Sequence, residues 1–290
     1  MPNVLVTGTS QGIGYATTLE LARAGHTVYA TMRNPGRAPE LGEAVAKEKL
    51  PVKILVMDVD SDASVSKAFG EIRAQGGRID VVVNNAGIER AGAIEEVPLE
   101  DFRAVMETNY FGVLRCIKAV LPEMRERQSG CIINVSSVAG RIAGSPLSPY
   151  HASKWALEAL SEALAQEVKQ FNIRVALVEP GIIDTAMAQH IGEPVNGTRY
   201  RHSRRFAGLF QASLAAPIDR GPAHVAKKIL EVIESGTWQL RHPVGPDAVP
   251  FIDWRKGMTD EQWAEWGALD DEAWYERVQK DFGLDARPKN

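Results

Sequence analysis

The chain has 290 residues, and 33 Lys and Arg against 37 Asp and Glu give it a formal net charge of −4. Its apolar fraction of 44% and charged fraction of 24% are typical of globular proteins and exclude a mostly disordered chain. The mildly acidic balance also argues against a nucleic-acid binder, because displacing counterions from phosphates needs clustered Lys and Arg.

Several classes of protein are excluded by what the chain lacks. Two cysteines, Cys116 and Cys131, are too few for a metal cluster or a disulfide framework, so we expect small core residues in a reducing compartment. The N-terminus has neither the basic start nor the apolar run of a signal peptide. The sequence contains no run of about 18 apolar residues, which a membrane-spanning helix would require. We therefore expect a cytoplasmic protein with no metal site and no integral membrane segment.

Short β-rich runs alternate with longer segments of helical spacing. The predicted strands are residues 4–6, 27–31, 52–57, 79–83, 131–135, 174–178 and a last strand near 238–240. Nearly continuous apolar runs suit parallel strands that are covered on both faces. The alternation predicts an α/β fold: a Rossmann-type doubly wound parallel sheet with helices on both faces.

The pattern changes after residue 180. Residues 182–216 suit a long excursion with one or two short helices, and a helix is predicted at about 218–235. The tail is rich in Trp, and Trp263, Trp266 and Trp274 suit an amphipathic helix that packs on the domain or on a partner subunit. We predict one domain over residues 1–242, with a lid at 182–216, and a C-terminal helical extension over 243–290.

A glycine-rich turn, residues 8–14, follows the first strand and opens into a helix. Gly8-Thr9-Ser10-Gln11-Gly12 fits the nucleophile elbow of serine hydrolases. However, only seven residues precede Gly8, which leaves no room for the earlier strands and oxyanion loop of a hydrolase. The competing interpretation is a phosphate turn, in which absent side chains and a helix N-terminus accommodate a pyrophosphate.

Further polar motifs follow later strands. Residues 84–87 (Asn-Asn-Ala-Gly) end the fourth strand, and Ser136-Ser137 ends the fifth. Tyr150 and Lys154 begin a long helical pattern, and their spacing of four places them on one helix face. These elements meet at the carboxyl edge of the sheet, where open α/β proteins bind ligands.

Together these motifs resemble the short-chain dehydrogenase/reductase family over residues 3–240. Segments 28–34 and 241–248 are most similar to its 17β-hydroxysteroid and retinol dehydrogenase branch. The family motifs are residues 7–14, Asn84 to Gly87, Asn109, Ser137, Tyr150, Lys154, Pro180, Gly181 and Thr185.

The resemblance implies hydride exchange between a nicotinamide dinucleotide and an alcohol or carbonyl, with a site that moves a proton at the substrate oxygen. Tyr150 is then the general acid/base, Lys154 lowers its pKa and holds the ribose, and Asn109 anchors a proton-relay water. Ser137 orients the substrate oxygen; it is preferred to Ser136 because the family's usual gap to the Tyr is thirteen residues. The implied cofactor contacts are Gly8, Ser10, Gln11, Gly12, Ile13, Gly14, Arg33, Asp58, Val59, Asn85, Ala86, Gly87, Tyr150, Lys154, Pro180, Gly181, Ile183 and Thr185.

The end of the second strand bears on the choice of cofactor. Thr31 stands where an NAD enzyme would carry an acid for the ribose 2′-hydroxyl, and Arg33 follows two residues later. This favours NADP(H) over NAD(H), although the glycine turn carries Gln11 and lacks the second basic residue that many NADP(H) enzymes of the family have there. Asp58 has two open interpretations, an adenine contact or the N-cap of the next helix.

We expect an NADP(H)-dependent oxidoreductase that interconverts a secondary alcohol and a ketone, or an alcohol and an aldehyde, on a bulky apolar substrate. The alternatives are an NAD-dependent enzyme of the same family and a non-catalytic dinucleotide sensor. The resemblance also implies a homodimer or homotetramer. Apolar lid candidates are Met187, Ile191, Tyr200, Phe206 and Phe210, while Arg199, Arg201, Arg204 and Arg205 form either a carboxylate site or a solvated face.

Overall fold

The computed structural model describes residues 1–288. Its strands are β1 (Asn3–Thr7), β2 (Thr27–Met32), β3 (Val52–Val56), β4 (Val81–Asn84), β5 (Gly130–Val135), β6 (Ile173–Pro180) and β7 (Arg241–Val244). They form one parallel sheet in the order β3-β2-β1-β4-β5-β6-β7, which confirms the predicted doubly wound fold. The strand order reverses beside β1, so a crevice opens at the carboxyl ends of β1 and β4.

Helices connect and flank these strands. They are α1 (Gly12–Arg23), α2 (Pro39–Glu48), α3 (Asp62–Ala74), α4 (Leu99–Met106), α5 (Gly112–Glu126), α6 (Ser148–Val168), α7 (Ala186–Ile191), α8 (His202–Ala215), α9 (Ala223–Ser235), α10 (Ala248–Lys256), α11 (Asp260–Ala268) and α12 (Asp271–Phe282). None of the helices within residues 1–288 has the length and apolarity needed to cross a bilayer.

Both faces of the sheet are covered, as the apolar strands predict. Successive side chains of β1 point to opposite faces. Leu5 packs in a cluster with residues of α3, α5 and α6, whereas Val4 and Val6 pack in a cluster with residues of α1 and α9. Burial of both faces explains why the central strands contain few polar side chains.

Two boundaries differ from the prediction. The last strand begins at Arg241 rather than near residue 238 and ends at Val244, so the predicted domain boundary at residue 242 lies within this strand. Trp238 lies outside the strand, with its ring under the Lys169 ammonium. Helix α9 begins at Ala223 rather than near residue 218, because residues 216–222 form a loop.

Over residues 243–288, the C-terminal extension forms three helices rather than one amphipathic helix. Helix α11 ends at Ala268, and Asp270 caps α12, since its side chain accepts a 2.9 Å hydrogen bond from the Ala273 N–H. Leu209 of α8 packs with Trp274, Tyr275 and Val278 of α12 in a small separate core. The extension therefore packs on the lid of its own chain.

Candidate functional site

A cavity of about 650 Å³ lies at the carboxyl edge of the sheet. It is lined at one end by the glycine turn and the ends of β2 and β3, and at the other by the lid and α10–α12. Most predicted site residues line it: Gly8, Ser10, Gln11, Gly12, Ile13, Arg33, Asp58, Val59, Asn85, Ala86, Gly87, Ser137, Tyr150, Lys154, Pro180, Gly181, Ile183 and Thr185. Gly14 and Asn109 do not.

The glycine turn is shaped by two close approaches of main chain. Gly8 has a φ of +70°, and a Cβ atom there would lie 2.8 Å from the Ala86 Cα. A Cβ on Gly14 would lie 2.3 Å from the Gly8 carbonyl oxygen, so Gly14 supports the turn from beneath rather than lining the cavity. The N-terminus of α1 consequently faces the cavity with little side-chain cover. That cradle fits a pyrophosphate, which unpaired helix N–H groups would bind.

Asn85 and Thr7 fasten the glycine turn to the end of β4. The Asn85 Nδ2 donates to the Thr7 and Gly8 carbonyl oxygens at 2.9 and 3.1 Å. The Thr7 Oγ1 in turn accepts from the Asn85 and Ala86 N–H groups, both at 2.9 Å. The Asn85 amide is therefore engaged in holding the two cavity-lining loops together.

The end of β2 corrects one expectation. Thr31 does not face the cavity: it is buried, and its hydroxyl donates to the Val6 carbonyl oxygen at 3.0 Å. Met32 lines the cavity instead, beside Arg33. Successive side chains of a strand point to opposite faces of the sheet, so of the neighbours Thr31 and Met32 only one can face the cavity. The position that faces the cavity thus carries an uncharged side chain followed by a cation.

The structure removes one of the two interpretations of Asp58, the N-cap, and the adenine contact stays a prediction. Ser61 is the N-cap of α3, and its Oγ accepts from the Ser64 N–H at 3.3 Å. Asp58 lines the cavity, and one carboxylate oxygen accepts from the Asp60 N–H at 3.2 Å. Asp58 and Val59 therefore lie at the cavity wall next to the end of β3.

Ser137, Tyr150 and Lys154 meet at the middle of the cavity. Ser137 caps a 3₁₀ turn after β5, where its Oγ accepts from the Ala139 N–H at 3.1 Å, and it contacts the Tyr150 hydroxyl. Lys154 follows Tyr150 by one turn of α6, and its Nζ donates to the Val135 carbonyl oxygen at 2.8 Å. The competing Ser136 has no hydrogen-bond partner for its Oγ among residues 1–288. Ser137 is thus the serine that contacts Tyr150.

Burial dominates the pKa values of this cluster. It raises the pKa of Tyr150 to about 12, because the surrounding protein disfavours the phenolate more than the contact with Ser137 favours it, and the Glu89 carboxylate adds to the rise. Burial lowers the pKa of Lys154 to about 8, opposed by the Glu158 carboxylate. Burial outweighs the other influences on the pKa of Tyr150 in this structure, and the lowering of that pKa by Lys154, which the family resemblance implies, stays a prediction.

Asn109 lies outside the cavity, in a single π-helical turn (Glu107–Phe111) between α4 and α5. Its Oδ1 accepts from the Ile88 N–H, and its Nδ2 donates to the Ile88 carbonyl oxygen and the Ser153 Oγ, all at 2.9 Å. Both Nδ2 hydrogens are used and Oδ1 accepts one bond, so the side chain links α6 to the loop after β4. The π turn disturbs the regular helix ladder, and a relay water at Asn109 stays a prediction.

The lid covers the cavity and contacts the loop after β4. Met187, Ile191, Phe206 and Phe210 line the cavity as expected, but Tyr200 is exposed and does not. The His190 Nδ1 of α7 contacts the carboxylate of the buried Glu89.

The lid arginines separate into two kinds. Arg205 is buried, and its guanidinium donates to Asp271 at 2.7 Å and to the Leu269 carbonyl oxygen at 2.6 Å. Arg204 bonds the same carboxylate from the surface, while Arg199 and Arg201 are exposed. The buried Arg205 thus ties the lid to α12 and does not belong to a solvated face, and because it also lines the cavity, a carboxylate contact there stays a prediction.

The sequence interpretation missed the aromatic wall at the far end of the cavity. Trp254 packs edge-to-face against Trp263 and Trp266 at 5.6 and 5.2 Å between centroids, and Trp263 stacks on Trp266 at 5.2 Å. Helical spacing indicated that these rings are buried together but not that they face a cavity. Lining residues from α10–α12 are Phe251, Trp254, Trp263, Ala264, Trp266, Gly267, Trp274 and Phe282.

Comparison with known proteins agrees with this architecture. Residues 2–196 match the short chain dehydrogenase family. The chain is 36% identical over 272 residues to oxidoreductase BOA17 of Botryotinia fuckeliana, covering 90% of this chain and 96% of that protein. It is 38% identical over 262 residues to retinol dehydrogenase 8 of Bos taurus, covering 86% and 83% of the two proteins. A short-chain dehydrogenase from Streptomyces avermitilis has the same fold, with a TM-score of 0.76 and 31% identity, covering 97% and 99% of the two chains. The chain therefore belongs to the short-chain dehydrogenase family.

Proposed function

We propose that the protein is an NADP(H)-dependent oxidoreductase that interconverts a secondary alcohol and a ketone, or an alcohol and an aldehyde, on a bulky and mostly apolar substrate. The observation that carries this proposal is the contact of Ser137 with Tyr150, with Lys154 one helical turn away, in the middle of one continuous cavity. On one side of this cluster lies a pyrophosphate cradle, and on the other lies an apolar wall.

The cofactor would be held by the main chain of residues 8–13, by Asp58 and Val59 near the adenine, and by Lys154 and residues 180–185 near the nicotinamide. When bound, it supplies the hydride donor or acceptor. Tyr150 then holds or gives the proton at the substrate oxygen, and Ser137 orients that oxygen. Tyr150 is protonated at neutral pH, since an ordinary tyrosine has a pKa near 10 and burial raises the pKa of Tyr150 further, so the resting site suits proton donation, the role needed for carbonyl reduction.

Preference for NADP(H) rests on Arg33 and Met32. A 2′-phosphate needs a cation, and Arg33 lines the cavity beyond the end of β2. Met32 brings no carboxylate that would accept from a free 2′-hydroxyl or repel a phosphate. Asp60 also lies at this end, where its carboxylate accepts from the Thr108 hydroxyl at 3.0 Å. The likeness to a retinol dehydrogenase supports an apolar alcohol as the substrate class.

The test is a scan of secondary alcohols, ketones and aldehydes of increasing size with NADPH/NADP⁺ and NADH/NAD⁺, followed by nicotinamide absorbance. We expect turnover with NADP(H), and a decrease of roughly 100- to 10,000-fold in kcat for Tyr150→Phe, the range attributed to a general acid/base. Tyr150→Phe should still bind NADPH, because the phenol is not needed for the phosphate cradle. Ser136→Ala is the matched control for Ser137→Ala, and we expect only the latter to lower kcat.

Three outcomes would contradict parts of the proposal. Full turnover by Tyr150→Phe would remove the mechanism. Tight dinucleotide binding without turnover of any substrate in the scan would favour the non-catalytic sensor. Higher kcat/KM with NADH than with NADPH would favour the NAD-dependent alternative.

A further inference from the structure

A buried ion pair lies behind the segment that follows β6. Arg220 belongs to the loop between α8 and α9, and Asp247 lies between β7 and α10. The Arg220 Nη1 donates to an Asp247 carboxylate oxygen at 2.5 Å, and both side chains are less than 10% exposed. Neither residue lines the cavity.

Both members of this pair bond the main chain of Ile182. The Asp247 carboxylate oxygens accept from the Ile182 N–H at 3.2 and 3.4 Å, and the Arg220 Nη1 donates to the Ile182 carbonyl oxygen at 3.3 Å. The Arg220 carbonyl oxygen also accepts from the Asp184 N–H at 2.8 Å. The pair and its loop thus hydrogen-bond this segment at three points: the N–H of Ile182, the carbonyl of Ile182 and the N–H of Asp184.

The fit of Asp247 against this segment is close. A Cβ on Gly181 would lie 1.9 Å from the Asp247 Oδ1, so only glycine allows the approach. Asp247 also occupies the N-cap position of α10, where an Asp side chain ordinarily accepts from the first turn of its own helix. Here it makes no such bond and is directed at Ile182 instead.

The pair is poorly arranged for stability alone. The Arg220 Nε is buried without a hydrogen-bond partner among the described residues. Removing two charges from water is costly, and buried ion pairs often contribute less stability than apolar side chains of similar volume. The hydrogen bonds of Arg220 and Asp247 instead fix the main-chain conformation of residues 181–184. Gly181 and Ile183 of that path line the cavity, and Thr185, just beyond it, caps lid helix α7.

We propose that Arg220 and Asp247 are positioning residues, which hold residues 181–184 in the shape that the nicotinamide end of the dinucleotide requires. This inference rests on the proposed function, since it assumes that residues 180–185 contact the dinucleotide. It adds two residues that touch neither cofactor nor substrate, from a loop and from the start of the C-terminal extension. The extension would then contribute to cofactor binding as well as to the apolar wall.

The test uses the full chain and three readouts: the NADPH dissociation constant by fluorescence titration without substrate, kcat and KM for the best substrate, and Tm. The single variants are Asp247→Asn and Arg220→Met, each of which leaves one buried group unpaired. The double variant Arg220→Met/Asp247→Ala removes both charges together. Arg174→Met is the matched control, because Arg174 lies at the other end of β6 and donates to the carbonyl oxygens of Val232, Ile233 and Thr237, outside the cavity.

We expect both single variants to weaken NADPH binding by about tenfold or more and to lower kcat by roughly 10- to 100-fold, the order expected from a small misplacement of a reacting group. The double variant should recover Tm toward the wild-type value without recovering NADPH affinity or kcat. Arg174→Met should lower Tm while leaving the NADPH dissociation constant unchanged.

The proposal is overturned if the variants lose Tm but bind NADPH as the wild type does and keep its kcat. It is equally overturned if the double variant recovers affinity and kcat together with Tm, because the pair would then serve stability alone. In both cases the wild type binds and turns over, so the proposed function stands. A wild-type chain that binds neither dinucleotide would overturn both proposals.

Discussion

The Lys154 ammonium lies 5.5 Å from the centroid of the Tyr150 ring, and the same enclosed site favours the neutral form of both side chains. Burial raises the pKa of Tyr150 to about 12 and lowers that of Lys154 to about 8, because a low-dielectric surrounding disfavours both the phenolate and the ammonium. Proximity of a cation to a tyrosine therefore does not by itself produce a phenolate. The balance of burial and charge at this site yields two measurable pH effects.

The first effect concerns catalysis and Glu89. Alcohol oxidation needs the phenolate, so its rate should rise with pH toward the high pKa of Tyr150, whereas carbonyl reduction needs the phenol and should be sustained at neutral pH. The Glu89 carboxylate raises the pKa of Tyr150, so Glu89→Gln should lower it and move the rising limb of the oxidation profile to lower pH. Glu96→Gln is the control, since Glu96 also contacts the lid, through Thr198 and Arg199. An unshifted profile in Glu89→Gln would contradict this coupling.

The second effect concerns stability and Lys154. Between pH 8 and the ordinary lysine pKa of 10.5, the unfolded chain binds more protons at this residue than the folded chain, so its contribution to the free energy of unfolding rises with pH. Lys154→Met removes this term. Relative to the variant, the wild type should gain roughly 2 to 3 kcal/mol of unfolding free energy from pH 7 to pH 10. Denaturant titrations of both proteins at the two pH values measure the difference, and a constant gap would refute the lowered pKa.

Cofactor choice should respond to the cavity-facing residue at the end of β2. Arg33→Ala should raise the KM for NADPH and leave that for NADH nearly unchanged, because only the former loses a phosphate contact. Met32→Asp should favour NADH further, since an acid there accepts from a free 2′-hydroxyl and repels a 2′-phosphate. Thr31→Val is the control: Thr31 does not line the cavity, so its loss should change stability and not cofactor ratio. Equal cofactor ratios in wild type and Arg33→Ala would remove the basis for NADP(H).

The aromatic wall should select substrates by size. Trp266 contacts Trp254, Trp263 and Trp274, so Trp266→Ala opens the far end of the cavity. We expect a higher KM for bulky apolar substrates with little change for small ketones, together with a loss of about 3 kcal/mol in unfolding free energy. Trp238→Ala is the matched control, because that ring is half-exposed and does not line the cavity. A uniform loss for small and large substrates would indicate general damage rather than size selection.

Much of this protein follows from local sequence. Alternating apolar runs and helical spacing predict the parallel sheet, because burial of both faces leaves few other places for residues such as Val4, Leu5 and Val6. The glycine turn is also predictable, since Gly8 and Gly14 allow approaches that any Cβ would prevent. The Tyr150 and Lys154 pair follows from helical spacing together with the family resemblance.

Tertiary structure decided the features that depend on direction and on distant partners. The cavity-facing residue at the end of β2 is Met32, one position beyond the predicted Thr31, whose hydroxyl bonds the main chain of β1 instead. Strand side chains alternate between faces, so an error of one position exchanges the two roles. Helical spacing predicted that Trp263 and Trp266 lie on one packing face but not whether that face meets a core or a cavity, and both rings are half-buried. The meeting of Arg220 and Asp247 at Ile182 joins loops that sequence periodicity leaves unrelated. Sequence by itself predicted the fold and the pairing of Tyr150 with Lys154, while long-range packing decided which side chains surround that pair.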